Sequence, residues 1–138
     1  MKKRVLVAVD GSSQSLKALK FAMDTAPDAE LHLINVRSAI TGSAASYLGR
    51  KTLDEYHLEE GMKDMGSALE AARASGTEPK HHVTVGSPGE TIARFADQIA
   101  ADFIVIGSKG RGQISDIVLG SAVQGVLQES RVPVLVIK

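Results

Sequence analysis

Apolar and polar residues follow one another along this chain in two rhythms. Val5-Leu6-Val7-Ala8-Val9 is an unbroken apolar run, the pattern of a strand covered on both faces. Gly11-Ser12-Ser13 breaks it, and Leu16, Leu19, Met23 and Ala26 then recur at helical spacing until Pro27-Asp28. Leu31 to Val36 predicts a second strand, interrupted by His32 and Asn35. The stretch from Arg37 to Ser46 is small and polar and predicts a mobile loop. Leu58, Met62, Met65, Leu69 and Ala72 mark one face of a long helix that Ser75-Gly76 closes. His81 to Val85 is weaker and more polar, as suits an edge strand.

Ser87-Pro88-Gly89-Glu90 reads as a helix start: Ser87 as cap, Pro88 in the first turn, Glu90 reaching back as capping-box partner. Ile92, Phe95, Ala96 and Ile99 form its buried face. Phe103 to Ile106 predicts a fourth strand and Val132 to Ile137 a fifth, with a helix between them. Five strands alternating with four helices make an open parallel α/β sheet with right-handed crossovers and helices on both faces. No repeat, linker or low-complexity segment interrupts it. At 138 residues the chain suits one domain over 1–138, a size that buries roughly 68% of its unfolded surface.

Composition narrows the functional classes. Hydrophobic residues at 43% and charged residues at 23% are those of a folded domain. Lys plus Arg and Asp plus Glu number 16 each, so the basic excess of a duplex binder is missing. Three Phe, two Tyr and no Trp leave little to stack on single strands; no nucleic-acid partner is expected. Cysteine is absent, which excludes disulfides and thiolate chemistry. Met1-Lys2-Lys3-Arg4 imitates a signal-peptide start, but the apolar run that follows stops at Asp10, short of the roughly 7–15 residues required. No stretch reaches the roughly 18 apolar residues of a membrane span. A soluble cytoplasmic domain without membrane insertion is the expectation.

In an open parallel sheet, ligands bind beyond the carboxyl ends of the strands, where strand order reverses. Strands one and four meet there, so the Asp10-Gly11 turn and Gly107 face one crevice. Gly107-Ser108-Lys109-Gly110-Arg111-Gly112-Gln113 follows strand four, and Gly120-Ser121 follows Leu119. Glycines let backbone N–H groups turn toward an anion, and Lys109 and Arg111 add positive charge. Ser121-Ala122-Val123-Gln124 is a second capping-box pattern, placing Ser121 as the cap of a helix whose positive end faces the same anion. These features describe a phosphate cradle; a solvated glycine-rich loop is the rival. Gln113 stands where a P-loop requires lysine. Ser115 replaces the last glycine of a dinucleotide fingerprint, and Asn35-Val36-Arg37 offers no carboxylate to a ribose diol, which disfavours NAD.

The residues Gly107, Gly110, Gly120 and Ser121 match the pattern Gly-x2-Gly-x9-Gly-Ser/Thr with both spacers intact. In this the chain resembles the universal stress protein family, specifically its ATP-binding branch. Val7-Ala8-Val9-Asp10-Gly11-Ser12 is similar to that family's opening strand and turn, and Val132-Pro133-Val134-Leu135-Val136 to its closing strand. The resemblance implies a Rossmann-like, adenine nucleotide alpha hydrolase-like sheet in the order 3-2-1-4-5. It implies ATP, with Mg²⁺, as ligand, and a stress-response module whose nucleotide occupancy tunes conformation or assembly. Asp10 would lie near the ribose or metal, Val36 would present backbone groups to the adenine edge, and Ala8 and Val9 would line the base pocket. Gly107, Ser108, Gly110, Arg111, Gly112, Gly120 and Ser121 would hold the phosphates, with Ala122 and Val123 at the helix start. The chain departs from the family at Lys109, where histidine or arginine is usual, and at Gln113, often glycine.

Structural rivals stand beside these roles. Asp10 alternatively caps the first helix turn, Val36 belongs to the core alone, and Ser121 caps a helix without a ligand. His81-His82 point to opposite faces of a strand, so a shared metal is not expected, and His32 and His57 lack partners at ligand spacing. No Gly-x-Ser-x-Gly elbow is present. Hydrolysis needs a group to orient water, and no candidate stands out, so an ATPase or adenylyl-transferring enzyme would turn over slowly at best. A nucleotide-free interaction module is the third reading. The family order leaves Val132 to Ile137 on an edge, and the resemblance implies a homodimer, or a tetramer, through it, with a regulatory protein partner the sequence does not identify.

Overall fold

The computed structural model describes residues 2–39, 43–110 and 119–138, with backbone alone for 43–51. In chain order the elements are β1 (Arg4–Ala8), α1 (Ser13–Thr25), β2 (Glu30–Arg37), α2 (Ser43–Ala74) and β3 (Lys80–Val85). They continue with α3 (Pro88–Gln98), β4 (Phe103–Gly107), α4 (Ser121–Glu129) and β5 (Val134–Ile137). All strand pairs are parallel, in the order β3-β2-β1-β4-β5. Winding runs outward from β1 to β3, then jumps back to β4 and runs the other way. Crossovers of one hand therefore place α1 and α2 on one face and α3 and α4 on the other.

The two faces explain the unbroken apolar runs. Val5, Val7, Leu33 and Val105 pack under Leu19 and Ala22 of α1 and Met65 and Leu69 of α2. Their strand neighbours Leu6, Ile34, Ile104 and Ile106 point the other way, against Ile92, Ala96, Val123 and Val126 of α3 and α4. Successive side chains of a strand alternate faces, so a central strand with both faces covered must be apolar throughout. No helix among the described residues is long and apolar enough to cross a membrane.

Several local expectations need correction. The loop foreseen over Arg37 to Ser46 is shorter. Arg37 pairs with Val85 as the last residue of β2, its carbonyl accepting from Gly86 N–H at 2.9 Å. α2 already begins at Ser43, where Ala44 and Ala45 favour helix; residues 40–42 lie outside the described set. Leu58 is 56% exposed, while His57 is 5% exposed and turned inward. α2 spans 32 residues, about 48 Å of helix, against about 26 Å for the longest strand. The buried stripe of α2 runs through His57, Gly61, Met65, Ala68 and Ala72, and Leu58, about 100° further round the helix from His57, falls outside it. β5 starts at Val134 rather than Val132, because Pro133 has no N–H to pair.

Both capping boxes fail as hydrogen-bond patterns. Ser87 does occupy the cap of α3 with Pro88 next, but makes no side-chain cap bond. Glu90 turns instead to Arg94, one helical turn on, at 3.4 Å. At α4 the cap is Gly120, one residue before the expected Ser121, and the Gln124 side chain donates to the Leu119 carbonyl at 2.7 Å. α3 and α4 cross where Gly89 meets Gly125: a Cβ on Gly89 would stand 2.6 Å from the Gly125 Cα, one on Gly125 3.0 Å from the Gly89 Cα.

His32, without partners at metal-ligand spacing, has hydrogen-bond partners on its own strand and on β3. Its Nε2 donates to Glu30 Oε2 at 3.0 Å, since a carboxylate can only accept. Its Nδ1 lies 3.3 Å from His82 Nε2, and the rings stack. Glu30 also pairs with Lys80 and Arg4. Its carboxyl is held down to about 2, first by the His32 hydrogen bond and then by Lys80. His82 is lowered by burial first, then by the nearby His32, His81 and Lys80.

Gly89→Ala is expected to lower stability by about 1–3 kcal/mol, because a backbone must yield. Gly125→Ala is expected to be close to neutral, since a gain of about 1 kcal/mol in helix propensity offsets its looser contact. Equal urea midpoints for the two variants would contradict this geometry. Both depressed groups bind protons more readily in the unfolded chain, so stability is complete above about pH 6.5. It then falls on acidification, first through His82 and, below about pH 4.5, through Glu30. His82→Gln should flatten the fall in urea midpoint between pH 7.5 and 5.5; an unchanged slope would assign the effect elsewhere.

Candidate functional site

Winding reverses between β1 and β4, so the chain leaves these neighbouring strands toward opposite faces and a gap opens past their carboxyl ends. A cavity of about 220 Å³ lies there. Ala8, Ile34, Val36, Ile92 and Ile106 line it with apolar surface, and Pro88 at the start of α3 adds to this wall. Asp10, Gly107, Lys109 and Gly110 occupy the β1 and β4 turns, and Gly120 to Val123 bring the first turn of α4. The cavity is thus apolar toward α3 and polar toward the turns and α4.

Each polar feature has a local cause. Asp10 does not cap α1; that role belongs to Ser12, whose Oγ accepts from Ser15 N–H at 3.1 Å. Asp10 Oδ1 accepts from Ser12 N–H at 2.9 Å, the bond to backbone two residues on that Asp favours in turns. Its Oδ2 faces the β4 turn, 2.9 Å from where a Cβ on Gly110 would stand. Ser15, 5% exposed, accepts from Asp10 N–H through its Oγ at 3.3 Å. The first N–H groups of a helix lack intrahelical acceptors, and Gly120 at the cap of α4 has no side chain to supply one. The amides of Ser121, Ala122 and Val123 thus head a nine-residue helix with its positive end at the cavity.

Of the residues singled out from the sequence, Ala8, Val9, Asp10, Val36, Gly107, Gly110, Gly120, Ser121, Ala122 and Val123 all border this cavity. Ser108 does not. Its N–H donates to the Ile137 carbonyl at 2.7 Å and its carbonyl accepts from Gly120 N–H at 2.9 Å, so it ties the β4 turn to β5 and α4. Arg111 and Gly112 lie outside the described residues. Gly107 also serves packing, since a Cβ there would come within 3.0 Å of Gln14 on α1. Val36 is both core and lining, packed against the α3–α4 side.

Sequence reasoning missed Ser15, Ile34, Pro88, Ile92 and Ile106, and counted Lys109 only as nearby charge. Ile34 was within reach, because it shares a strand face with Val36 two residues on. Pro88 and Ile92 come from α3, whose approach to the cavity depends on how closely it crosses α4. Asp10 is the one carboxylate on the cavity wall among the described residues, and these contain no cluster of three metal-ligating side chains. A Mg²⁺ ion, which takes one or two carboxylates plus the oxygens of a phosphate ligand, is compatible with this donor set.

Comparison with known proteins agrees with this architecture. The profile of the "Universal stress protein family" matches residues 1–138. The universal stress protein YxiE of Bacillus subtilis is 32% identical over 145 residues, covering 98% of each chain. The solved structure of MJ0577 from Methanocaldococcus jannaschii superposes with a TM-score of 0.81 at 28% identity, covering 100% of this chain and 96% of its own. A universal stress protein solved in complex with cAMP superposes with a TM-score of 0.67 at 27% identity, covering 99% of this chain and 97% of its own. A family match over the full length, joined to a sheet of the same order, has one meaning: this chain belongs to the universal stress protein family.

Proposed function

We propose that this chain binds an adenine nucleotide, ATP together with Mg²⁺, in the cavity between β1 and β4. The carrying observation is that the glycine-capped first turn of α4 and the Gly107–Gly110 turn border one cavity with an apolar far wall. The base enters among Ile34, Val36, Ile92 and Ile106, with the Val36 main chain at its edge. Asp10 stands at the ribose or at the metal. The phosphates meet the amides of Gly120 to Val123 and the β4 turn, with Lys109 and Arg111 as counter-charge, Gly112 giving backbone access and Ser108 holding the loop in register. The complex of a relative with cAMP supports adenine as the base.

On this reading the chain is a single-domain cytoplasmic stress-response module whose occupancy sets its conformation or pairing. A ligand shifts such an equilibrium only by its difference in affinity for the two states. The open edge of β5 supports a homodimer as the responsive state. Leu135 is 38% exposed there, and Phe21 and Leu127 are exposed on α1 and α4, the helices on either side. An exposed apolar edge strand invites a partner strand, and a two-fold pairing buries it symmetrically.

Gly110→Val and Gly120→Val should each weaken ATP binding about 100-fold or more in calorimetry, equivalent to about 2.7 kcal/mol, with the folded state retained. At 110 the new side chain also strikes Asp10. Unaltered affinity in both variants would remove the cradle. Leu135→Lys sets like charges against each other across a two-fold edge and should weaken the dimer at least tenfold. Sedimentation as an unchanged dimer would exclude this edge as the interface.

A further inference from the structure

The face of β2 turned toward α2 carries polar groups that do not border the cavity. Asn35 is 2% exposed, and its Nδ2 donates to the Val9 carbonyl at 2.8 Å. The same nitrogen lies 3.4 Å from Asp64 Oδ2 on α2. Asp64, with a side chain 9% exposed, also takes Arg37 Nη1 at 3.0 Å. Its Oδ1 stands 3.2 Å from where a Cβ on Gly11 would lie, and Gly11 holds φ at +84°, a conformation that favours glycine. One carboxylate from α2 thus meets two side chains of β2 and the turn that follows β1.

This contact reaches the cavity through the backbone. A peptide unit is planar, so holding the Val9 carbonyl toward α2 aims the Asp10 N–H the other way, at Ser15 Oγ. Asp10 then folds Oδ1 onto Ser12 N–H and leaves Oδ2 beside Gly110. Asn35 is a costly residue for a core position. Its Oδ1 is buried without a hydrogen-bond partner, and such a group carries a desolvation penalty that an aliphatic side chain would avoid. The penalty is borne where its amide holds the main chain next to Asp10.

We propose that Asn35 and Asp64 are positioning residues that brace the Val9–Asp10–Gly11 turn from the α2 side and so aim the Asp10 carboxylate at the ligand. The part of this that concerns the ligand rests on the nucleotide reading above, whereas the brace itself does not. Asn35→Leu removes the bond to the Val9 carbonyl, and Asp64→Asn keeps the side-chain volume while removing the charge that holds Arg37 and strengthens the Asn35 contact. Amide hydrogen exchange in the nucleotide-free chain should accelerate about tenfold or more at Asp10 and Ser12, with Ala96 in α3 unaffected. ATP affinity should fall about tenfold. In an Asp10→Ala background the further loss from Asp64→Asn should vanish, because groups acting as one unit are not additive.

Unchanged exchange at Asp10 and Ser12 would overturn the brace whether or not ATP binds. Additive affinity losses, or exchange raised equally throughout the sheet, would overturn it in favour of general destabilisation. If the wild-type chain binds no ATP while the Asn35 and Asp64 variants still show the local exchange effect, the nucleotide reading fails and the brace stands. Should Asn35→Leu not fold, Asp64→Asn carries both readouts, and Arg37→Gln, at a part-exposed position, removes the guanidinium partner as a further variant.

Discussion

Main-chain donors at the start of a helix have no acceptor within that helix, and everything proposed for this chain turns on where α4 leaves them. The strand order parts the connections after Ala8 and Gly107, so a gap remains beyond two adjacent strand ends. α4 starts at that gap with a glycine at its cap. A serine or aspartate there would have supplied an oxygen to the first turn and used up part of its attraction for anions. With Gly120 no side-chain oxygen at the cap takes these donors. On the nucleotide reading, the apolar surface opposite, from Ile34 to Ile106, is where the base is buried.

The supports of this cavity are spread over the whole molecule. On one side, Gly89 and Gly125 let α3 and α4 approach closely enough that Pro88 and Ile92 become cavity wall. On the other, Asn35 and Asp64 hold the turn that carries Asp10. β2 therefore carries two buried polar residues with unrelated duties. His32 faces α3 near the start of the strand and joins Glu30 to His82. Asn35 faces α2 near its end and fixes backbone beside the cavity. Both appear in the sequence only as interruptions of an apolar run. Their partners, 50 and 26 positions away, come together through strand register.

What the sequence reveals well is whatever depends on neighbours in the chain. The strands follow from apolar runs, and the spaced glycine pattern carries the family resemblance that implies their order and the lining by Ala8, Gly107 and Gly120 to Val123. What depends on distances between elements is hidden. The helical stripe that included Leu58 was set one position off, because the close approach of Gly61 to Val83 and Asn35 turns His57 inward instead. The four-residue capping signatures at Ser87 and Ser121 named plausible local bonds, yet Glu90 had Arg94 within reach and Gly120 took the cap. Ser15 was invisible because its role is set by the fold of the Asp10 turn, which Asn35 determines from across the sheet.

If the α4 amides receive the phosphates, their backbone resonances will report it. On titration with ATP, the N–H signals of Ser121, Ala122 and Val123 should move strongly downfield, while adenosine, which has no phosphate, should shift the Val36 and Ile34 region and leave these three nearly in place. Identical shifts for the two ligands, or an α4 start indifferent to ATP, would place the phosphates elsewhere.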